Sequence, residues 1–137
     1  MKLDQHEEQH LASEFTEKLA SRPVKATYDL ATLGAQTRKG GQVVTASSDM
    51  EMAGHRIACI GDVVRYPDGT ESKIVSGAGS VLAYKNRPVA IVGSATDNGD
   101  IIISSLQSAA QIYEFADDDG IAGLLQPGYV ALTGIDA

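Results

Sequence analysis

One stretch of this chain is written twice. "VVTASSDMEMAGHRIACIGD" (residues 43–62) lies over "IVSGAGSVLAYKNRPVAIVGS" (residues 74–94), with one residue inserted near Lys85 and Asn86. Each copy reads as a strand, a turn of small residues, a second strand, a Gly or Asn turn, and then (I/V)-A-x-(I/V)-G. A third, degraded start follows at "IIISSLQSA" (residues 101–109). A period of roughly 30 residues predicts a repeat architecture of about three related units, because one such unit cannot bury its own apolar face and must stack on its relatives.

Within the repeats, short β-prone runs alternate with turns: "QVVTAS", "RIACIGDVV", "SKIVSG", "PVAIVGS" and "DIIISS". The alternation predicts many short strands. "YPDGT" (residues 66–70) is a turn because Pro sets φ and Gly supplies φ > 0. "DNGD" (residues 97–100) is a hairpin signal of the Asn-Gly type. Composition agrees: 14 Gly, two Phe and no Trp suit a small β-rich domain with many tight turns.

Outside the repeats, residues 4–20 are predicted as one helix. Asp4 and Glu7 form a capping box, Leu11, Phe15 and Leu19 make a narrow apolar stripe, and Pro23 ends it. Residues 24–37 read as a connector with a short strand at 26–30. "AAQIYEFA" fits helix or strand, "ADDDG" is a turn, and "PGYVALTG" reads as a final strand. The expected fold is therefore mainly β, with one N-terminal α-helix: a helical appendage over residues 1–23 and a β domain over residues 24–137.

Charge and cysteine content exclude several classes. Residues 88–137 hold seven acids and no Lys or Arg, so the net charge of −7 sits at the C-terminal end. A nucleic-acid binder needs a basic face, and none is written here. The single cysteine, Cys59, forms no intrachain disulfide framework. The first residues lack the apolar run of a signal peptide, and no stretch approaches the ~20 apolar residues of a membrane-spanning helix. The expectation is a chain made in the bacterial cytoplasm.

The repeats resemble the proline-alanine-alanine-arginine repeat (PAAR) proteins, the tips that cap the spikes of type VI secretion systems and of related contractile phage tails. "ATLGAQTRKGG" (residues 31–41) is similar to that family's opening A-R-L-G-D-x-T-x-H-G-G. The two long copies are similar to its I-S-G-S-x-x-V-x-x-N-G-x-P-V-A-R-V-G-D units. The likeness covers residues 31–105, leaving 106–137 as a C-terminal extension. It implies a small cone-like β domain with pseudo-threefold symmetry, and no enzymatic activity. Its base would sit, one copy per trimer, on the blunt end of a trimeric β-helical spike, while its apex leads the spike through a target membrane. It also implies a destination at the virion tail tip or outside the cell with the spike. The N-terminal helix would then pack on the cone or engage a cargo or chaperone.

The resembled family usually holds a zinc ion near the apex with His and Cys side chains. Its histidine before Gly-Gly falls on Lys39 here, its first cysteine on Tyr66 and its second on Asn98, and the nearby turn offers Asp68 where a histidine often sits. Lys, Tyr and Asn are poor zinc ligands. His55 and Cys59 lie at inter-strand positions of the first unit, away from the expected apex. No apical zinc and no other cofactor is therefore expected.

The remaining motifs are weaker. "HEEQH" (residues 6–10) spells a zinc-protease helix, with His6 and His10 as ligands and Glu7 as base. That pair faces away from the Leu11/Phe15/Leu19 stripe and has no third ligand, so a surface helix is the expectation and a metal-dependent hydrolase the alternative. "GAGSVL" (residues 77–82) begins like a dinucleotide loop, but Leu82 replaces the third glycine and Pro88 forbids a long helix. Asp117 and the acids after it lack the D-x-D-x-D spacing of a calcium loop. Cys59, in an apolar run, reads as a small buried residue. A free-standing binding module of repeat type is the third reading.

Overall fold

Frequent turns keep the strands of this chain short, two to six residues each. The computed structural model describes residues 23–117 and 120–130. Its strands are β1 (Val24–Asp29), β2 (Gln42–Val43), β3 (Glu51–Met52), β4 (His55–Arg56), β5 (Val63–Arg65), β6 (Glu71–Lys73), β7 (Ala83–Tyr84), β8 (Arg87–Pro88) and β9 (Gln111–Phe115). The described residues are mainly β and contain no helix. The predicted N-terminal helix, and HEEQH with it, lies outside the described residues.

Strands this short cannot hold a sheet alone, and the backbone hydrogen bonds show what does. Ala31 N–H donates to the carbonyl of Ala90, Ala90 to Ala58, and Ala58 to Ala31, at 2.9, 2.8 and 3.0 Å. These three bonds close a ring. All three alanines are wholly buried, and each belongs to one copy of the repeat. The next position out repeats the pattern: Gly34, Gly61 and Gly93 donate to Val43, Ile74 and Ile102, each at 2.8 Å. These glycines share a left-handed backbone, with φ of 89°, 95° and 106°, which explains why the motif ends in Gly. The described residues thus form three equivalent units about a pseudo-threefold axis that passes between the alanines.

The third unit looked degraded in sequence because it is assembled from both ends of the repeat region. Ile57 and Val89 donate to Met50 and Leu82, one at the root of the β3–β4 ribbon and the other at the root of β7–β8. The matching bond in the third unit runs from Leu30 to Ala110, at the root of an antiparallel ribbon between β1 and β9. The strand expected at 26–30 is therefore real but longer. "AAQIYEFA" resolves as strand because β1 supplies its partner. The expected strand in "PGYVALTG" is not seen over its described part, residues 127–130, which form turn and irregular chain. Residues 121–129 instead run along the second unit: Ser80 donates to Ala122, Leu125 to Gly77 and Gly128 to Val75.

Each unit runs from its ribbon, past the axis, to a hairpin and back. Among the described residues, one end thus carries three ribbons and the other carries three hairpins. The core lies between, in two layers. Val43, Val64, Ile74 and Ile102 pack with the axial alanines toward the hairpins. Leu30, Ile57, Cys59, Val89, Ile91 and Ile112 pack toward the ribbons.

Candidate functional site

The three hairpin turns span residues 37–41, 66–70 and 96–100. Each is closed by the same bond between its ends: Thr37 N–H to Gly41, Tyr66 to Thr70, and Thr96 to Asp100. Tight turns with Gly at their tips leave polar side chains as the means of joining one hairpin to the next.

That junction centres on Asp100, whose side chain is wholly buried. Its Oδ2 accepts the Tyr66 hydroxyl proton at 2.7 Å, from the second hairpin. Its Oδ1 accepts the Lys39 backbone N–H at 3.0 Å, from the first, and its neighbour Ile101 N–H at 2.8 Å. The Thr37 hydroxyl donates to it as well. With its proton committed to Asp100, the Tyr66 oxygen accepts from Asn98 Nδ2 at 3.0 Å and lies 3.2 Å from Ser72 Oγ. Lys39 Nζ donates to the Asn98 carbonyl at 3.1 Å. Burial opposes the charge on Asp100, but the bonds from Thr37, Tyr66, Ile101 and Lys39 outweigh it and hold the carboxyl below its ordinary value. Gly41 makes room for this arrangement: a Cβ there would run into the Tyr66 ring and Val64.

Lys39, Tyr66 and Asn98, singled out in sequence as one set, are thus brought together by three different hairpins. Asp68 is not among them. It closes its own turn by accepting from Thr70 N–H at 3.0 Å and the Thr70 hydroxyl at 2.6 Å. Asp100 was missed, since "DNGD" was read only as a turn. The available signal was its alignment with Gly41: an acid stands where the first hairpin has glycine.

The other candidates fall apart from this junction. His55 sits on β4, paired with Met52. Cys59 is fully buried, and burial, helped by the Asp62 charge, pushes its thiol up to about 11. That suits packing rather than nucleophilic attack. Asp62, also buried, accepts from Thr45, Ser47 and Cys59 N–H, and so ties the first unit's small-residue turn to its core. In "GAGSVL" the amides of Ala78 and Ser80 are spent on the Val89 and Ala122 carbonyls, so these two are not free to cradle a phosphate.

A family model for the PAAR motif matches residues 33–104, more than half of the chain. The chain belongs to the PAAR family. Neither the curated proteins nor the solved structures offer a match. The PAAR motif is associated with spike-tip proteins of contractile injection systems, and the family is a structural one.

The donor set of this PAAR protein does not fit the zinc its family implies. Zinc needs about four lone pairs converging at ~2.0–2.3 Å, commonly from His and Cys. At this junction Lys39 is an ammonium with donors only. The Tyr66 proton is engaged by Asp100, and one carboxylate is the sole strong ligand. Among the described residues no group of three or more His, Cys, Asp or Glu side chains is set to hold a metal.

Proposed function

We propose that this PAAR protein is a spike tip, one copy capping the blunt end of a trimeric β-helical spike in a contractile phage tail or a type VI secretion system. The observation that carries the reading is the closed ring of Ala31, Ala58 and Ala90, which makes a single chain threefold in its hydrogen bonding. A trimer ends in three equivalent sets of unpaired strand edges, and such edges seek partners. A monomer with three equivalent ribbons at one end offers one to each. The hairpin end would then form the apex of a cone and lead through a target membrane. The chain would be made in the bacterial cytoplasm and leave with the spike, with the N-terminal segment available to a cargo or chaperone.

Co-expression with a trimeric β-helical spike protein from the same injection machine, followed by native mass spectrometry, tests this. The expected complex has one copy of this chain per spike trimer. A chain that stays monomeric beside the intact trimer, or that binds three to a trimer, overturns it.

A further inference from the structure

We infer that this protein ties its hairpin end together without a metal, the carboxylate of Asp100 serving as the cross-link. The geometry carries this through the direction of its groups. A metal centre is a cation toward which lone pairs converge. Here the polarity is inverted: the centre is an anion, and protons converge on it. The Tyr66 O–H, the Thr37 O–H and the Lys39 and Ile101 N–H groups all point at Asp100. A cation entering this space would face N–H and O–H hydrogens, with the Lys39 ammonium close by on the Asn98 carbonyl. The network also spans what a metal would span. Thr37 and Lys39 come from the first hairpin, Tyr66 from the second, and Asn98 and Asp100 from the third. No buried side-chain polar atom is left unpaired among the described residues, so the junction is complete as it stands. Charge-assisted bonds of this kind are the stronger class, and burial shields them from water.

The inference is independent of the spike reading, because it concerns the isolated chain. The test uses the full-length protein purified from zinc-supplemented cells, with metal content measured by mass spectrometry. Thermal unfolding is followed with and without EDTA, and amide hydrogen exchange is followed over the three hairpins. The expected midpoint is unchanged by EDTA or by added zinc. Tyr66→Phe, which removes one oxygen, is expected to lower the midpoint by about 5 °C or more. It is also expected to speed exchange in residues 37–41 and 96–100 as well as in its own hairpin, by about tenfold. Asp100→Asn is expected to do more, and if it fails to fold, Tyr66→Phe carries the test. Stoichiometric zinc retained in a His6→Ala, His10→Ala variant, with a midpoint that falls when the zinc is removed, overturns the inference. So does a Tyr66→Phe protein whose first and third hairpins exchange as slowly as before.

Discussion

At Asp100 a buried charge is stable because donors surround it, and this makes it a pH-dependent element of the fold. Its carboxyl lies below the ordinary value in the folded state. Its contribution is therefore fully present above the unfolded value, about 4, and is lost as pH falls through the folded one. Urea unfolding of wild type and Asp100→Asn should differ by about 2 kcal/mol at pH 7, with the gap narrowing below about pH 4. A gap that stays constant to low pH would contradict this. Cys59 gives a second residue-scale expectation. Buried, with its thiol pushed up to about 11, it should resist thiol reagents at pH 8 until the chain is unfolded. Labelling of the native protein at the rate of the unfolded one would count against that packing. Asp100 shows what sequence could not convey at this scale. "DNGD" specifies a turn through its own backbone preferences, whereas the burial of its last carboxylate depends on Tyr66 and Lys39, 34 and 61 residues away.

At the scale of elements, the ribbon β1–β9 explains both a success and a miss. The two-residue turns of the other ribbons, Ala53-Gly54 and Lys85-Asn86, adopt left-handed backbone and fold each hairpin locally. Such ribbons are legible because both strands lie in one stretch of chain. β9 was ambiguous because its partner β1 lies more than 80 residues upstream. Removing residues 1–29 should therefore leave β9 unpaired and Leu30 short of its register. Far-ultraviolet circular dichroism and proteolysis should report a destabilised chain, with cleavage in residues 111–115. Gly77 is a second element-scale test. A Cβ there would strike the Val89 carbonyl, where Ala78 N–H donates to the same oxygen at 2.8 Å. Gly77→Ala should cost about 1–3 kcal/mol, read from the urea midpoint. A neutral substitution would mean that the second unit's strands are free to separate.

For the molecule as a whole, the ring of axial bonds separates this fold from open repeat arrays. In a solenoid each repeat contacts only its neighbours, and stability is close to a sum of separate terms. Here each unit touches both others at the axis, so none can unfold alone. Urea transitions followed by circular dichroism and by tyrosine fluorescence should coincide, and separated transitions would show that the units melt one by one. Ala58→Leu should test the same axis: extra volume beside Ala31 and Ala90 has nowhere to go, and a loss of about 1–3 kcal/mol is expected in the urea midpoint. By itself the sequence already specified a mainly β repeat and its turns, because each rests on local backbone preference or on one unit compared with the next, and the family that the repeats resemble then pointed to Lys39, Tyr66 and Asn98. The tertiary structure alone decided that the third unit is completed by β1 and β9, that three alanines close a ring, and that Asp100 binds the hairpins together. Those are pairings between residues far apart in the chain, and they exist only once three units have met around one axis.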